Sequence, residues 1–303
     1  RLDWNISPRN KLSLRYNQVE SSDPAFLSTS FGSTGISNPA FGTGRSEATA
    51  LNSLHFRNSN YFQDYNFYSI AAELNSSFNS RISNTLRATY NNQNEPRTSN
   101  SSDFPFVDIF KDGTAFTSFG YEPFTYGNLR DVKIYSFVDN LTISAGKHNF
   151  LIGLQADFTE TINGFQPLGA SYYRFNSWSD FATGQKPNDF AYTYSLKKDY
   201  SQAFPGFKFA NYAAFIQDEV NLSKKFKLTW GLRADQARYP GVEEVKENPL
   251  VSGLTFANGI KVNTGKLPAQ KWLFSPRIGF NWDLYGDRSL QIRGGTGIFT
   301  GRV

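Results

Sequence analysis

The chain has 303 residues, and its 31 basic and 26 acidic side chains give a formal net charge of +5. Aromatic residues make up 17% of the sequence while hydrophobic residues total only 39%, which is unlike a disordered chain or a Leu- and Ala-rich helical bundle. Cysteine is absent, so disulfides, thiolate metal sites and a thiol nucleophile are excluded. The basic residues are scattered, so we expect no nucleic-acid partner.

The dominant pattern is a period-two alternation of apolar and polar residues, which predicts β-strands. In residues 150–158, for example, Phe150, Ile152 and Leu154 share one face and Gln155 lies on the other. Most such stretches exceed the ~5–6 residues of a typical globular strand and reach the ~9–11 that cross a bilayer at a tilt. Ten of them follow one another, at residues 1–6, 11–20, 61–76, 82–92, 131–144, 148–160, 209–222, 226–239, 273–284 and 289–300.

The connections between these stretches alternate strictly between tight turns and long loops. A soluble domain rarely has a loop above ~12–15 residues without structure of its own. Short turns on one side and long loops on the other are typical of an outer-membrane barrel. The long loops cover roughly residues 21–60, 93–130, 161–208 and 240–272.

The alternation predicts an all-β fold, an antiparallel up-and-down transmembrane β-barrel with short periplasmic turns and long extracellular loops. Trp4, Trp230 and Trp282 lie on the apolar face near short turns, so we expect them to form a membrane-interface girdle. The alternative is that they are core tryptophans of a soluble β-sandwich. The polar face predicts side chains that line the lumen or contact a plug, namely Arg15, Arg87, Asp157, Arg233, Asp235, Arg277 and Arg293.

Two carboxylates break this pattern. Asp139 and Asp218 fall on the apolar face of their strands. Either a β-bulge shifts the register at these positions, or the two groups lie near the lipid headgroups. The sequence leaves both explanations open.

We find no catalytic or metal-binding constellation, and no cofactor is expected. His55 and His148 lack a paired carboxylate at a useful spacing. Residues 294–297 do not open a helix after a strand, so their glycines indicate strand curvature or close backbone approach rather than a phosphate loop. Residues 31–35 lack the spacing of a nucleophile elbow. A solvated loop is favoured over a cation site for the acidic run of Glu243, Glu244 and Glu247.

Aromatic rings are concentrated in two of the long loops. Residues 104–126 carry eight rings and form the most ring-rich segment outside the predicted strands. Such rings either pack against one another, which is the favoured interpretation, or form a platform for a sugar or peptide ligand. The candidate ligand contacts are Phe104, Phe106, Phe116, Phe119, Tyr121, Phe124, Tyr126, Tyr172, Tyr173 and Trp178.

A series of short motifs runs along nearly the whole chain. They include NEPR at 94–97, FPFVDI at 104–109, SFGYEPF at 118–124, GLRAD at 231–235 and SPRIGF at 275–280. With these motifs the chain resembles the barrel of TonB-dependent outer-membrane receptors. It looks closest to the Oar-like branch, whose members usually begin with a carboxypeptidase-regulatory-like domain.

That resemblance implies import of an extracellular ligand across the Gram-negative outer membrane, energised through TonB. It also implies a barrel of about 22 strands with a plugged lumen, of which the ten stretches are about half. We therefore expect residues 1–303 to be a partial barrel domain, in contact with outer-membrane lipid, whose plug domain and C-terminal strands lie outside the sequence. The alternatives are a passive porin-like channel, a barrel that anchors a surface complex with a lipoprotein or lid, and a secreted β-sandwich adhesin that binds glycans.

Overall fold

The computed structural model of the protein describes residues 1–27, 53–241 and 247–301. Residues 31–35 and the acids Glu243 and Glu244, considered above, lie outside this described part. Within it, no helix is both long and apolar enough to cross a membrane. The helices are α1 (Trp178–Ala182), α2 (Pro249–Ser252) and the 3-10 turns Arg57–Ser59 and Ala257–Gly259.

Strands dominate the described residues. They form a large antiparallel sheet and a small separate one. In chain order the strands are β1 (Leu2–Ser7), β2 (Asn10–Val19), β3 (Ser22–Ala25), β4 (Leu54–His55), β5 (Tyr61–Asp64), β6 (Asn66–Ser77), β7 (Ile82–Ser99), β8 (Phe106–Lys111), β9 (Thr114–Phe119), β10 (Leu129–Ala145), β11 (His148–Gly164), β12 (Tyr172–Phe175), β13 (Asp189–Ala191), β14 (Gly206–Asn221), β15 (Phe226–Arg238), β16 (Trp272–Asp283) and β17 (Gln291–Gly297).

The large sheet is the predicted up-and-down array. Its order is β1-β2-β6-β7-β10-β11-β14-β15-β16-β17, with the short β3 and β5 attached at one end. Each of the ten predicted stretches corresponds to one of these ten strands, so the antiparallel transmembrane fold is confirmed. Tight turns join every second pair, and the long connections join the others.

The register places the apolar and polar rows on opposite faces of this sheet. Side chains directly opposite each other on neighbouring strands share a face. One such row, which we call the outward row, consists of Trp4, Leu12, Leu74, Leu86, Asp139, Leu154, Ala214, Ala234 and Phe274.

The same row shows that the strands are tilted. It starts at Trp4, three residues from the turn end of β1 at Ser7. It ends at Phe274, nine residues from the turn end of β16 at Asp283. The distance from this row to the short turns therefore increases from β1 to β16. Such a shift between neighbouring strands is the stagger that barrel closure requires.

Parts of three long connections fold together into a second sheet. Its order is β13-β12-β8-β9-β4, with β12 parallel to β8 and β4 parallel to β9. We call residues 54–59, 104–127 and 165–195 the loop module. We expected residues 104–126 to be a loop without strands. This is wrong, because β8 and β9 form a hairpin there. Its turn has positive φ at both Asp112 and Gly113, as a two-residue type I′ turn requires.

The loop module has a hydrophobic core on each face of its sheet. The first cluster contains Phe106, Phe110 and Tyr172, with Leu27, Ala115 and Leu168 completing it. The second contains Val107, Ile109 and Phe175, against which Phe119, Tyr173 and Phe181 pack. Because β8 supplies residues to both clusters, it is buried on both faces and lies at the centre of the module.

Candidate ligand-binding loops and inward barrel face

Three of the ten candidate ligand-contacting rings are in the interior of the loop module. Phe106, Tyr172 and Phe124 are 0%, 3% and 6% exposed. The Phe106 and Tyr172 rings stack with centroids 6.1 Å apart, because the parallel register of β8 and β12 places the two residues opposite each other. These three rings contribute to the module's packing and offer little surface to a ligand.

The other seven rings are more accessible. Phe104, Phe116 and Trp178 are exposed, and Trp178 exposes 56% of its surface. The half-buried rings are Phe119, Tyr121, Tyr126 and Tyr173. They belong to pairs such as Phe104–Phe119 and Tyr121–Tyr126, with centroids 6.1 and 6.2 Å apart. Ligand contact stays a prediction for these seven rings.

Buried polar contacts hold the module together. Ser118 Oγ donates to Asp108 Oδ1 at 2.5 Å, and the Tyr172 hydroxyl donates to Asp108 Oδ2 at 3.0 Å. Arg174 pairs with Asp189 at 2.5 Å across β12 and β13. These hydrogen bonds and the ion pair connect the strands of the module, so the exposed rings are displayed on a defined scaffold.

Glu122 organises the segment that follows β9. Its Oε2 accepts hydrogen bonds from the Phe124 amide at 2.9 Å and from Thr125 Oγ1 at 2.7 Å. Both bonds are buried, and they shape the turn that leads into β10. Burial raises the pKa of the neighbouring Tyr121 hydroxyl, and the negative charge of Asp103 raises it further.

A cluster of exposed tyrosines was missed in the sequence. Tyr192, Tyr194 and Tyr200 follow β13 and are all exposed. Tyr192 and Tyr194 stack with centroids 5.9 Å apart, and Tyr200 meets Tyr194 edge-on at 5.7 Å. The Tyr-x-Tyr spacing at 192 and 194 was the available signal, because alternate residues of an extended segment lie on one side.

The predicted lumen-facing residues occupy the sheet face opposite the outward row, as the register shows. Arg87 and Glu73 form an ion pair of 2.5 Å between β7 and β6. Arg233 pairs with Asp235 at 2.9 Å and donates to Gln155 at 3.1 Å.

The network continues along β11, where Gln155 donates to Asp157 at 2.8 Å and Ser136 also donates to Asp157. Nearby, a Cβ at Gly153 would collide with the Phe215 ring. Glycine at this position therefore leaves room for the Phe215 ring, and the Arg233 guanidinium lies 5.6 Å from the ring centroid.

A shallow pocket brings four of the seven residues together. It measures about 290 Å³, and Asp157, Arg233, Asp235 and Arg277 are among its lining residues. The other three lie apart from it, on β2, β7 and β17. Within the described residues, Arg15, Arg277 and Arg293 form no ion pair, so the inward face keeps exposed cations.

The outward face carries the three predicted girdle tryptophans. Trp4, Trp230 and Trp282 are all exposed. Counted from the turn ends of their strands at Ser7, Phe226 and Asp283, they lie three, four and one residues in. All three therefore lie close to the short turns, and their role as a girdle stays a prediction.

The outward carboxylates do not result from a shifted register. The pairing around Asp139 and Asp218 is continuous, so the bulge explanation is wrong. Asp218 lies three residues from the end of β14 at Asn221, and its Oδ2 is 2.7 Å from His148 Nδ1. The prediction that His148 has no carboxylate partner is also wrong, because it contacts Asp218. The sequence did not show this pair, since 70 residues separate the two.

Comparison with known proteins identifies the architecture. The family model described as "outer membrane beta barrel domain" matches residues 1–303. The chain belongs to this outer-membrane β-barrel family. A comparison with curated protein sequences finds no match to the chain.

Solved structures of outer-membrane proteins are similar to this chain over part of their own length. The chain is similar to the outer membrane transporter YddB from Escherichia coli, with 14% identity and a TM-score of 0.60 over 97% of this chain and 30% of that one. It is also similar to the copper transporter OprC, with 12% identity, a TM-score of 0.49, and coverage of 97% and 35%. A third similar structure is the siderophore receptor PiuA from Acinetobacter baumannii, with 10% identity, a TM-score of 0.46, and coverage of 92% and 38%.

Membership of the outer-membrane β-barrel family fixes the surroundings of the two faces. The chain is located in the outer membrane, with the outward row towards lipid and the polar row towards the barrel interior. The short turns face the periplasm and the long connections face the outside of the cell. The similar structures are named as transporters and a receptor, not as enzymes, and this chain spans about a third of their length.

Proposed function

We propose that this chain is part of a TonB-dependent outer-membrane receptor that imports an extracellular ligand. The observation that carries the proposal is the combination of a folded loop module outside the cell with a charged, hydrogen-bonded inner face. A passive channel needs an open, wet lumen, whereas a plugged receptor needs an inner wall that contacts a protein domain. The motifs that resemble TonB-dependent receptors support the second arrangement.

In this proposal the loop module captures the ligand. The exposed rings of Phe104, Phe116 and Trp178 offer apolar faces on a scaffold fixed by the Asp108 and Glu122 networks. Aromatic faces of this kind bind sugar rings, planar groups and apolar side chains. The three girdle tryptophans hold the barrel at the periplasmic interface during transport.

The inner face then contacts the plug. Arg277 is exposed and lies beside the pocket formed with Arg233, Asp235 and Asp157. Exposed cations of this kind form charge-assisted hydrogen bonds with carboxylates and backbone carbonyls of a docked domain. TonB acts on the plug from the periplasm, and the change in these contacts opens the path for the ligand.

Two measurements on the full-length protein test the proposal. In a planar lipid bilayer, a plugged receptor gives no steady conductance, whereas a porin-like channel is continuously open. In solution, the purified periplasmic domain of TonB should bind the receptor. Steady conductance without TonB binding would instead support the passive channel. No conductance and no TonB binding would support a barrel that anchors a surface complex.

The charge at Arg277 tests the inner face separately. We expect Arg277→Glu to weaken retention of the plug, measured as a rise in bilayer conductance, while the barrel still folds. Lys271→Glu makes the same charge change in the extracellular connection before β16 and should leave the conductance unchanged. Equal conductance of the wild type and Arg277→Glu would argue against a plug contact at this residue.

A further inference from the structure

The five short turns carry the excess positive charge of the chain. Residues 8–9, 78–81, 146–147, 222–225 and 284–290 contain six basic side chains and one acidic side chain, Asp287. Removing these from the chain's 31 basic and 26 acidic residues leaves 25 of each. The rest of the chain therefore has no net charge, and the +5 equals the net charge of the five turns at one rim of the barrel. We call this set the basic rim, and it consists of Arg9, Arg81, Lys147, Lys224, Lys225 and Arg288.

Two residues of the basic rim connect neighbouring turns. Neighbouring turns are two strand spacings apart, or about 10 Å. Arg9 donates across this gap to the Phe78 carbonyl of the next turn at 3.2 Å. Lys225 likewise donates to the Tyr285 carbonyl of its neighbouring turn at 3.0 Å. Arg9 and Lys225 thus each bridge a pair of adjacent turns along the rim.

Apolar side chains alternate with these cations. Phe78, Leu222 and Tyr285 are 53%, 51% and 62% exposed, although they lie in turns where polar residues are usual. Trp230 and Trp282 are exposed on the outward face just inside the rim. A surface that combines basic and apolar or aromatic side chains in this way suits the headgroup region of a membrane.

We propose that the basic rim binds the phosphate headgroups of anionic phospholipids in the periplasmic leaflet. Arg and Lys bind phosphate oxygens through charge-assisted hydrogen bonds. The attraction of a basic residue to an anionic membrane surface acts over about one Debye length, ~8 Å in physiological salt. Since neighbouring turns are about 10 Å apart, a headgroup interacts mainly with the cations of the nearest turn. The exposed apolar residues favour a lipid over an acidic protein, because the rim is continuous with the lipid-facing surface.

The experiment compares lipid binding to the full-length protein in detergent. Equal amounts of phosphatidylglycerol, which is anionic, and phosphatidylethanolamine, which is zwitterionic, are added, and native mass spectrometry measures the two bound populations. We expect the population with bound phosphatidylglycerol to exceed that with bound phosphatidylethanolamine by about fivefold or more. About a fivefold ratio corresponds to the attraction of about one basic residue to an anionic surface. The preference should decline as the ammonium acetate concentration rises.

Two matched variants locate the preference. Changing all six rim residues to Gln should bring the ratio of the two lipids close to one. Changing six lysines of the extracellular connections to Gln removes the same charge and should preserve the ratio; these are Lys186, Lys197, Lys198, Lys261, Lys266 and Lys271. An equal loss in both variants would overturn the proposal, because the preference would then follow net charge alone. A wild-type ratio near one at low salt would overturn it without any variant.

Discussion

Asp139 is a carboxylate on the lipid-facing side of the barrel. In the sheet register it lies between Leu86 and Leu154, six residues from the end of β10 at Ala145. Its Oδ1 is buried and has no hydrogen-bond partner among the described residues. A buried polar atom without a partner destabilises the folded state. Asp139 therefore opposes folding at its position.

We expect Asp139→Leu to increase the free energy of unfolding by about 1–2 kcal/mol, since acidic side chains facing lipid cost less than the ~2–4 kcal/mol of basic ones. Urea unfolding of the protein refolded into phospholipid vesicles measures the change. Asp218 provides the comparison, because it pairs with His148. Asp218→Leu should destabilise the protein, and Asp218→Asn should destabilise it less. A loss of stability in Asp139→Leu would show that this carboxylate has a partner in the membrane.

Tyr121 makes the loop module sensitive to alkaline pH. Burial raises the pKa of its hydroxyl above the ordinary value, so the folded state favours the protonated form. This contribution to stability is complete below the unfolded pKa of ~10 and is lost as pH rises through the raised folded pKa. We expect proteolysis of the loop module to accelerate above about pH 10. Tyr121→Phe should weaken this pH dependence. If the variant and the wild type had the same pH profile of proteolysis, the dependence would come from other titratable groups.

The loop module is expected to unfold separately from the barrel sheet. Its two core clusters lie on either side of β8, whereas the barrel strands are held by their own ladders. Phe106→Ala should destabilise the module by about 3–5 kcal/mol, the usual cost of deleting a buried ring. Limited proteolysis should then cut within residues 104–127, while the barrel retains its heat-modifiable migration in gels.

Phe116→Ala is the matched control for Phe106→Ala, since Phe116 lies in the neighbouring strand β9 but is exposed. It should leave the proteolysis pattern unchanged and, if the ring contacts ligand, reduce ligand binding. If the protease cut the Phe106→Ala and wild-type modules equally slowly, contacts with the barrel or the ligand, rather than the module's own core, would hold the module folded.

The barrel strands were predictable from the sequence and the strands of the loop module were not. Barrel strands have lipid on one face and a polar interior on the other, so their residues alternate along the chain. Residues 106–110 of β8 are buried on both faces and show no alternation. The Asp112–Gly113 pair was the one local signal of its hairpin, because Asp-Gly favours a two-residue turn with positive φ at both positions.

For the candidate site, the sequence predicted on which face of the sheet a side chain lies, but not its hydrogen-bond or ion-pair partners. Parity alone placed Arg87 and Arg233 on the inner face, because a strand alternates with a period of two. The pairing of Arg87 with Glu73 and the bond from Arg233 to Gln155 depend on the register between strands. The same holds for His148 and Asp218, which meet only because β11 and β14 are neighbours.

At the scale of the whole molecule, the sheet has two open edges. Within the described residues, β1 pairs only with β2, and β17 pairs only with β16. The outer N–H and C=O groups of both strands therefore lack ladder partners. Such groups are not tolerated in hydrocarbon, where each unpaired one costs several kcal/mol, and only a closed sheet removes them.

We therefore expect a polypeptide of residues 1–303 produced alone to associate through its edges when it is refolded into vesicles. Gel migration without heating and size-exclusion chromatography in detergent should show oligomers, while the full-length protein gives a heat-modifiable monomer. A variant with Asn5→Pro and Arg293→Pro is the control, because proline on an edge strand blocks further pairing. It should associate less and still fail to insert. A heat-modifiable monomer of residues 1–303 would mean that these ten strands close on themselves and need no others.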